Sequence, residues 1–212
     1  IGSGKTTVGR LLLGFYEPKE GRILVDGVDS RQYDPADLRA GIGFAMQDTD
    51  LFYGKLRDNI ALGKPEATDE EILLAARLSG VESFIAGHPM GYDMPISEGG
   101  RSLSGGQKQA IGLARVLIRK PRVLFLDEPT AHFDIRSEQE FLERLKGLRD
   151  ERMTIIISTH RLSLLNMGDR LLLFDNGRLV ADGPRDKVLA LLQGKPASTA
   201  PAPENTIQPK SA

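Results

Sequence analysis

Two short apolar runs, VLFL at residues 123–126 and TIIIS at residues 154–158, constrain the fold more than any other feature of the chain. Neither alternates polar with apolar positions, as a strand with one solvated face would. Strands of this kind are buried on both faces, which calls for a parallel sheet covered by helices. The helices carry their own start signals. Thr68-x-x-Glu71 and Ser104-x-x-Gln107 have capping-box spacing, predicting one helix that runs to Ser79 with Gly80 as its stop, and another that ends near Arg119. Ser137-x-x-Glu140 has the same spacing and predicts a third start. Asp34-Pro35 reads as a cap and first-turn proline before a helix over 35–40. A further helix is expected over 7–15, with strands over 21–27 and 42–46. In RLLLFDNGRLVADG, residues 170–183, two apolar runs flank Asn176-Gly177, which suits a type I′ hairpin turn. A helix is expected after it over 185–192. The pattern is α/β, without internal repeats.

Charge and composition remove whole classes of function. Lys and Arg number 28 against 29 Asp and Glu, a net charge of -1, and nucleic-acid binders carry a basic surplus; no nucleic-acid partner is expected. The absence of cysteine excludes disulfides and thiolate metal sites. The three histidines are far apart and lack helix-face metal spacing. The longest apolar runs are strand-sized, far below the roughly 20 residues that span a bilayer. In residues 194–212, 12 of 19 are Pro, Ala, Ser or Thr, which predicts a disordered tail after a folded domain over 1–193.

Three stretches carry chemistry. In IGSGKTT, residues 1–7, Gly4, Lys5 and Thr6 fill the end of G-x-x-x-x-G-K-[ST]. The first glycine of that pattern would precede Ile1, so the chain reads as a piece of a longer one. Gly2, Ser3 and Gly4, with Lys5, Thr6 and Thr7 opening a helix, could cradle a polyphosphate on backbone N–H groups and a helix dipole. Lys5 would reach the β and γ oxygens, and the Thr6 hydroxyl would ligate Mg²⁺. The same residues also fit a plain turn before a helix. In VLFLDEPT, residues 123–130, an apolar strand delivers two carboxylates to the sheet's carboxyl edge: Asp127 to hold Mg²⁺ and Glu128 to act as general base. A strand can equally end in acidic residues because it reaches solvent. The third stretch is LSGGQ, residues 103–107, too specific for coincidence. Ser104 caps a helix whose first N–H groups Gly105 and Gly106 expose beside Gln107, making a second phosphate-binding helix start. One chain thus holds parts of two γ-phosphate sites, which a head-to-tail pair of subunits resolves.

Taken together, these motifs resemble the nucleotide-binding domain of ATP-binding cassette (ABC) transporters, over about residues 1–192. The resemblance implies a P-loop NTPase fold with a RecA-like core and an α-helical signature subdomain inserted at about 49–119. It implies ATP and Mg²⁺ as ligands and ATP hydrolysis as the activity. It makes Gln47 (AMQD) the Q-loop residue that senses Mg²⁺ and the attacking water, Asp134 the D-loop aspartate, and His160 (STHR) the switch histidine at the γ-phosphate. From the residues alone, His160 after an apolar strand reads as a buried, hydrogen-bonded histidine. PISEGGRSLSGGQ resembles the exporter pattern in which a loop carrying Glu98 touches the transmembrane partner. DPADLR, LRDNIALG, HPMGYD and THRLSLL look most like cassettes of bacterial type I secretion exporters. That would place the protein on the cytoplasmic face of the inner membrane, attached to a transmembrane domain, paired with a second ABC domain, and served by a periplasmic adaptor and outer-membrane channel. Peptide and lipid or small-molecule exporters share much of this vocabulary. A DNA-repair-type ATPase and a non-hydrolysing regulatory cassette are rivals; residues 46–103 have no room for the former's coiled-coil insertion, and intact Glu128 and His160 oppose the latter.

Some residues depart from the family's pattern. The adenine-stacking aromatic and first strands would precede the glycine loop, so weak nucleotide binding and reduced stability are expected of residues 1–212 alone. The D-loop reads AHFD, with His132 and Phe133 where small and Leu-like residues are common. Gly112, inside the signature helix, should cost about 1 kcal/mol relative to alanine.

Overall fold

The computed structural model describes residues 4–46, 49–131, 133–148 and 153–192 of the 212-residue chain. Gly2, Ser3, Gln47, His132 and the tail over 194–212 lie outside the described residues. Helix α1 (Lys5–Leu12) opens at Gly4 rather than at residue 7, and stops short of residue 15 where Gly14 turns left-handed at φ 68°. The strand expected over 21–27 is shorter. Asp26 and Gly27 take φ of 50° and 82°, which folds β1 (Leu24–Val25) back on β2 (Val28–Asp29) as an antiparallel pair. Asp34 accepts a 2.7 Å bond from the Ala36 N–H and starts α2 (Pro35–Gly41), which runs into β3 (Ile42–Ala45).

The helical region follows. Strand β4 (Gly54–Lys55) leads into α3 (Leu56–Ala61), then α4 (Asp69–Ser79), α5 (Val81–Ile85) and β5 (Pro95–Ile96), which pairs antiparallel with β4. The Thr68–Glu71 box opens α4 and left-handed Gly80, φ 88°, ends it, as its sequence predicts. The Ser104–Gln107 box opens α6 (Gly105–Leu117). Beyond it lie β6 (Val123–Asp127), α7 (Ile135–Gly147), β7 (Thr154–Ser158), α8 (Leu162–Leu165), β8 (Arg170–Asp175), β9 (Arg178–Pro184) and α9 (Arg185–Leu192). Ser137 does not start α7. Asp134 caps it, accepting a 2.7 Å bond from the Ser137 N–H, because a carboxylate both satisfies that donor and complements the positive helix end. Asn176 and Gly177 take positive φ between β8 and β9, as a type I′ hairpin requires.

Strand β6 sits at the centre of a parallel sheet ordered β3-β6-β7, and Leu124, Phe125 and Leu126 are at most 2% exposed. Each side chain so buried contributes about 1.5–3 kcal/mol. Strand β7 is buried less deeply. Its far side faces β8 across a cavity of about 770 Å³ lined by Ile155, Ile157, Leu171 and Phe174, with Lys5 and Val8 of α1. Phe44 of β3 stacks on Phe125 at 5.0 Å and 9°. Helix α1 packs against that pair through Gly9, where a Cβ would lie 2.3 Å from the Phe44 ring. Helix α6 is buried on two sides. Ile111, Ala114 and Ile118, just past its end, join Leu56, Ile60, Ala76 and Val81 in one apolar cluster, while Leu113 and Leu117 join the sheet with Phe141 and Leu145. One helix therefore ties the helical region to the sheet.

Candidate functional site

The carboxyl edge of the sheet collects the predicted groups because parallel strands β6 and β7 end side by side, with Asp127 opposite Ser158. Asp127 is 7% exposed. Thr6 Oγ1, from the first turn of α1, donates a 2.6 Å hydrogen bond to Asp127 Oδ2 across 121 residues of sequence. A threonine hydroxyl and a carboxylate in direct contact form a hard-oxygen pair, which suits Mg²⁺; that ion takes one or two protein oxygens and completes its shell with water and phosphate. Among the described residues no group of three or more His, Cys, Asp or Glu could hold a metal. Gly4 precedes α1 with φ 91°, and among the described residues no side-chain hydrogen bond caps the helix. Thr7 is exposed in the same turn.

Glu128 follows Asp127 with φ 46°, a left-handed conformation that costs a glutamate of order 1–3 kcal/mol. Its N–H donates to the Ser158 carbonyl at 2.8 Å, which holds the turn against the end of β7. The turn aims the carboxylate at His160: Oε1 lies 3.0 Å from Nδ1. The His160 side chain is 74% exposed and that of Glu128 17%. The buried histidine read from residues alone is therefore corrected; β7 ends two residues earlier and delivers His160 to solvent beside the acid. Ser158 Oγ and Thr130 Oγ1 nearby in sequence are buried without a hydrogen-bond partner among the described residues.

The LSGGQ segment lies elsewhere. Ser104 Oγ accepts from the Gln107 N–H at 3.2 Å, and Gln107 Oε1 accepts from the Ser104 N–H at 2.9 Å. Ser104 and Gly105 are exposed. Ser104, Gly106 and Gln107 line a cavity of about 200 Å³ with Ser83, Phe133 and Arg144, and none of its lining is shared with the cavity beside Lys5. Asp134 is engaged in capping α7; the Ser137 N–H holds its carboxyl below the usual range.

Several supporting residues escaped the sequence reading. Asn59, 1% exposed, donates to the Phe52 and Lys55 carbonyls at 2.8 and 3.1 Å and accepts from the Phe52 N–H at 2.9 Å. Arg115 donates to the Asn59 and Asp50 carbonyls at 3.0 and 3.1 Å, and burial pushes its guanidinium pKa down. Together they hold residues 50–55, downstream of Gln47. Gly99 N–H donates to the Leu51 carbonyl at 2.9 Å, tying the exposed Glu98 turn to the same segment. A buried asparagine has no distinctive sequence signal. Gly112 has one, its cost in a helix, and the structure supplies the cause: a Cβ there would lie 2.4 Å from Thr49 Oγ1.

A parallel sheet whose terminal carboxylate is held by the threonine of a G-K-T helix start defines a P-loop nucleotide-binding fold, here with a RecA-like core and an α-helical signature region. Residues 1–131 match the ABC transporter family, and the chain belongs to that family. It is 43% identical over 189 residues to the cyclolysin secretion/processing ATP-binding protein CyaB of Bordetella pertussis, covering 89% of this chain and 26% of that protein. It is 42% identical over 182 residues to an ATM1-type heavy metal exporter of Novosphingobium aromaticivorans, covering 86% of this chain and 30% of that one. Among solved structures, a bacterial Atm1-family ABC exporter with ATP bound superposes with a TM-score of 0.82 at 40% identity, over 91% of this chain and 33% of that one. The chain thus spans about a quarter to a third of the length of the curated relatives it matches.

Proposed function

We propose that this chain is the ATP-hydrolysing part of a membrane exporter, and that the Thr6–Asp127 contact beside the Glu128–His160 pair is the observation that carries the reading. The N–H groups at the start of α1, with Lys5, hold the polyphosphate. Thr6 and Asp127 hold Mg²⁺, which when bound supplies positive charge to the phosphate oxygens. Glu128 accepts a proton from the attacking water, and His160 orients that carboxylate and contacts the γ-phosphate. Gln47 takes the sensing role its motif implies. The separation of the LSGGQ cavity from Lys5 within one chain supports a head-to-tail dimer, in which Ser104, Gly105, Gly106 and Gln107 of each subunit complete the other's site and Asp134 lies at the joint.

The domain so defined covers 1–193, with the helical subdomain at about 49–119 and a tail beyond it. Attached to a transmembrane domain, it works at the cytoplasmic face; no helix among the described residues is long and apolar enough to cross a membrane. For cargo we propose a protein or peptide moved by type I secretion, with a periplasmic adaptor and outer-membrane channel as further partners. The PISEGGRSLSGGQ and THRLSLL stretches and the 43% identity to CyaB support this. The 42% identity to a heavy metal exporter supports small-cargo export as the second reading. In the complete protein, Glu128→Gln is expected to bind ATP, stay dimeric and lose hydrolysis by at least about 100-fold, the lower range for removing a general base. Unchanged turnover, read as phosphate release, sinks the assignment. Stimulation of the wild-type rate by an unfolded secretory polypeptide and not by heavy metal ions decides between the cargo readings.

A further inference from the structure

Glu138 lies in the first turn of α7, one turn beyond the cap Asp134, and its side chain is only 14% exposed. Both of its carboxylate oxygens are used. Oε2 accepts from Arg161 Nη1 and Oε1 accepts from the Ser163 hydroxyl. Arg161 directly follows His160, and Ser163 lies three residues beyond it. The same Arg161 guanidinium reaches the Ala131 carbonyl at 3.4 Å, in the segment between Glu128 and Asp134. Its backbone N–H donates to Thr159 Oγ1 at 3.1 Å. Among the described residues His160 has no such anchorage of its own. Its side chain is largely exposed, and its one described polar contact is Glu128. The orientation of the imidazole therefore depends on how firmly the backbone around it is held.

We infer that Glu138 is a positioning residue for His160, acting through Arg161 and Ser163 to fix the segment that carries the histidine and to tie it to the helix that Asp134 caps. The inference rests on the ATPase reading proposed above. A largely buried carboxylate with two donors keeps a short chain segment in one place. A neutral amide replaces it poorly: its oxygen can still accept from Arg161 and its NH2 can turn to the Ser163 oxygen, but the negative charge that strengthens the bond to the guanidinium is lost. Removing one partner also leaves the Arg161 charge less well compensated. The phosphate and metal groups Lys5, Thr6 and Asp127 belong to other elements and are untouched.

The test is made in the complete protein with Glu138→Gln, His160→Ala and the double variant, measuring steady-state ATPase against MgATP concentration. The expected result is a kcat lower by roughly 10- to 100-fold, the scale of a misplaced catalytic group, with KM for MgATP within about twofold. In the His160→Ala background the same substitution is expected to add no further loss, because the group it positions is gone. A kcat equal to wild type overturns the inference, as does an equal multiplicative loss with and without His160, which marks a purely structural role. Should Glu138→Gln not fold, Ser163→Ala removes one of the two hydrogen bonds and carries the same comparison with a smaller loss. An independent readout is the His160 ring ¹H–¹³C resonance of the complete protein. Glu138→Gln is expected to shift or broaden it even if the wild type proves inactive, a result that removes the ATPase reading separately; an unmoved resonance overturns the clamp.

Discussion

At the scale of single residues, what matters is where the chain accepts a local cost for a contact elsewhere. Glu128 holds a left-handed backbone, which no helix or strand requires, and the return is a carboxylate 3.0 Å from His160. Gly112 is the same trade in a helix. Replacing it with alanine should gain about 1 kcal/mol in helix propensity. The new Cβ would meet Thr49 at 2.4 Å, and overpacking of that kind costs about 1–3 kcal/mol. Gly112→Ala is therefore expected to be neutral to destabilising in urea unfolding of the complete protein. In a Thr49→Ala background, which removes the two closest atoms, the same change is expected to become at least about 0.5 kcal/mol more favourable. A gain in the wild-type background would mean that Thr49 does not press on α6.

At the scale of elements, caps and turns decide where helices begin, and these respond to pH. The Asp134 carboxyl is held below its ordinary pKa, chiefly by the Ser137 N–H, so the charged form is favoured in the folded protein. A lowered folded-state pKa gives stability that is present above the unfolded value, about 4 for aspartate, and is lost as pH falls through the depressed value. Amide hydrogen exchange at the start of α7 should accordingly be faster in Asp134→Ala than in wild type at pH 6. The difference should shrink as pH drops below about 4, the unfolded aspartate pKa. Asp134→Asn should show little pH dependence over that window, since its amide caps without titrating. A difference that persists undiminished to pH 2.5 would assign the cap to another group.

At the scale of the whole molecule, two half-sites on one chain predict a definite complementation pattern. A dimer joining a Lys5→Ala subunit to a Ser104→Arg subunit keeps one complete site, built from the second subunit's loop and the first one's LSGGQ. A dimer joining a Lys5→Ala, Ser104→Arg double variant to wild type keeps none. Differently tagged complete subunits purified as mixed dimers should therefore trap ATP in the first combination and not in the second. Equal trapping in both would refute the head-to-tail arrangement.

Much of this protein is determined locally. The Thr68 and Ser104 boxes, the Gly80 stop, the Asp34-Pro35 start and the Asn176-Gly177 turn stand as their sequences predict, because each depends on donors and acceptors within four positions. The two apolar runs are likewise strands in a parallel sheet. Where two local signals competed, sequence spacing was not enough: Ser137 matched a box, but the carboxylate at Asp134 took the Ser137 N–H. The motifs also name the candidate residues, yet their assembly belongs to the tertiary structure alone. The Thr6–Asp127 contact spans 121 positions, and the Arg161–Glu138 pair joins α7 to the turn that follows β7. His160 is exposed rather than buried because β7 ends at Ser158. Asn59 and Arg115 gain their roles only by meeting across the helical region. Hydrogen-bond caps are short-range and are written into neighbouring residues; which strand edges lie side by side is set by the packing of distant apolar faces, and that packing brings the four groups at the sheet's edge together.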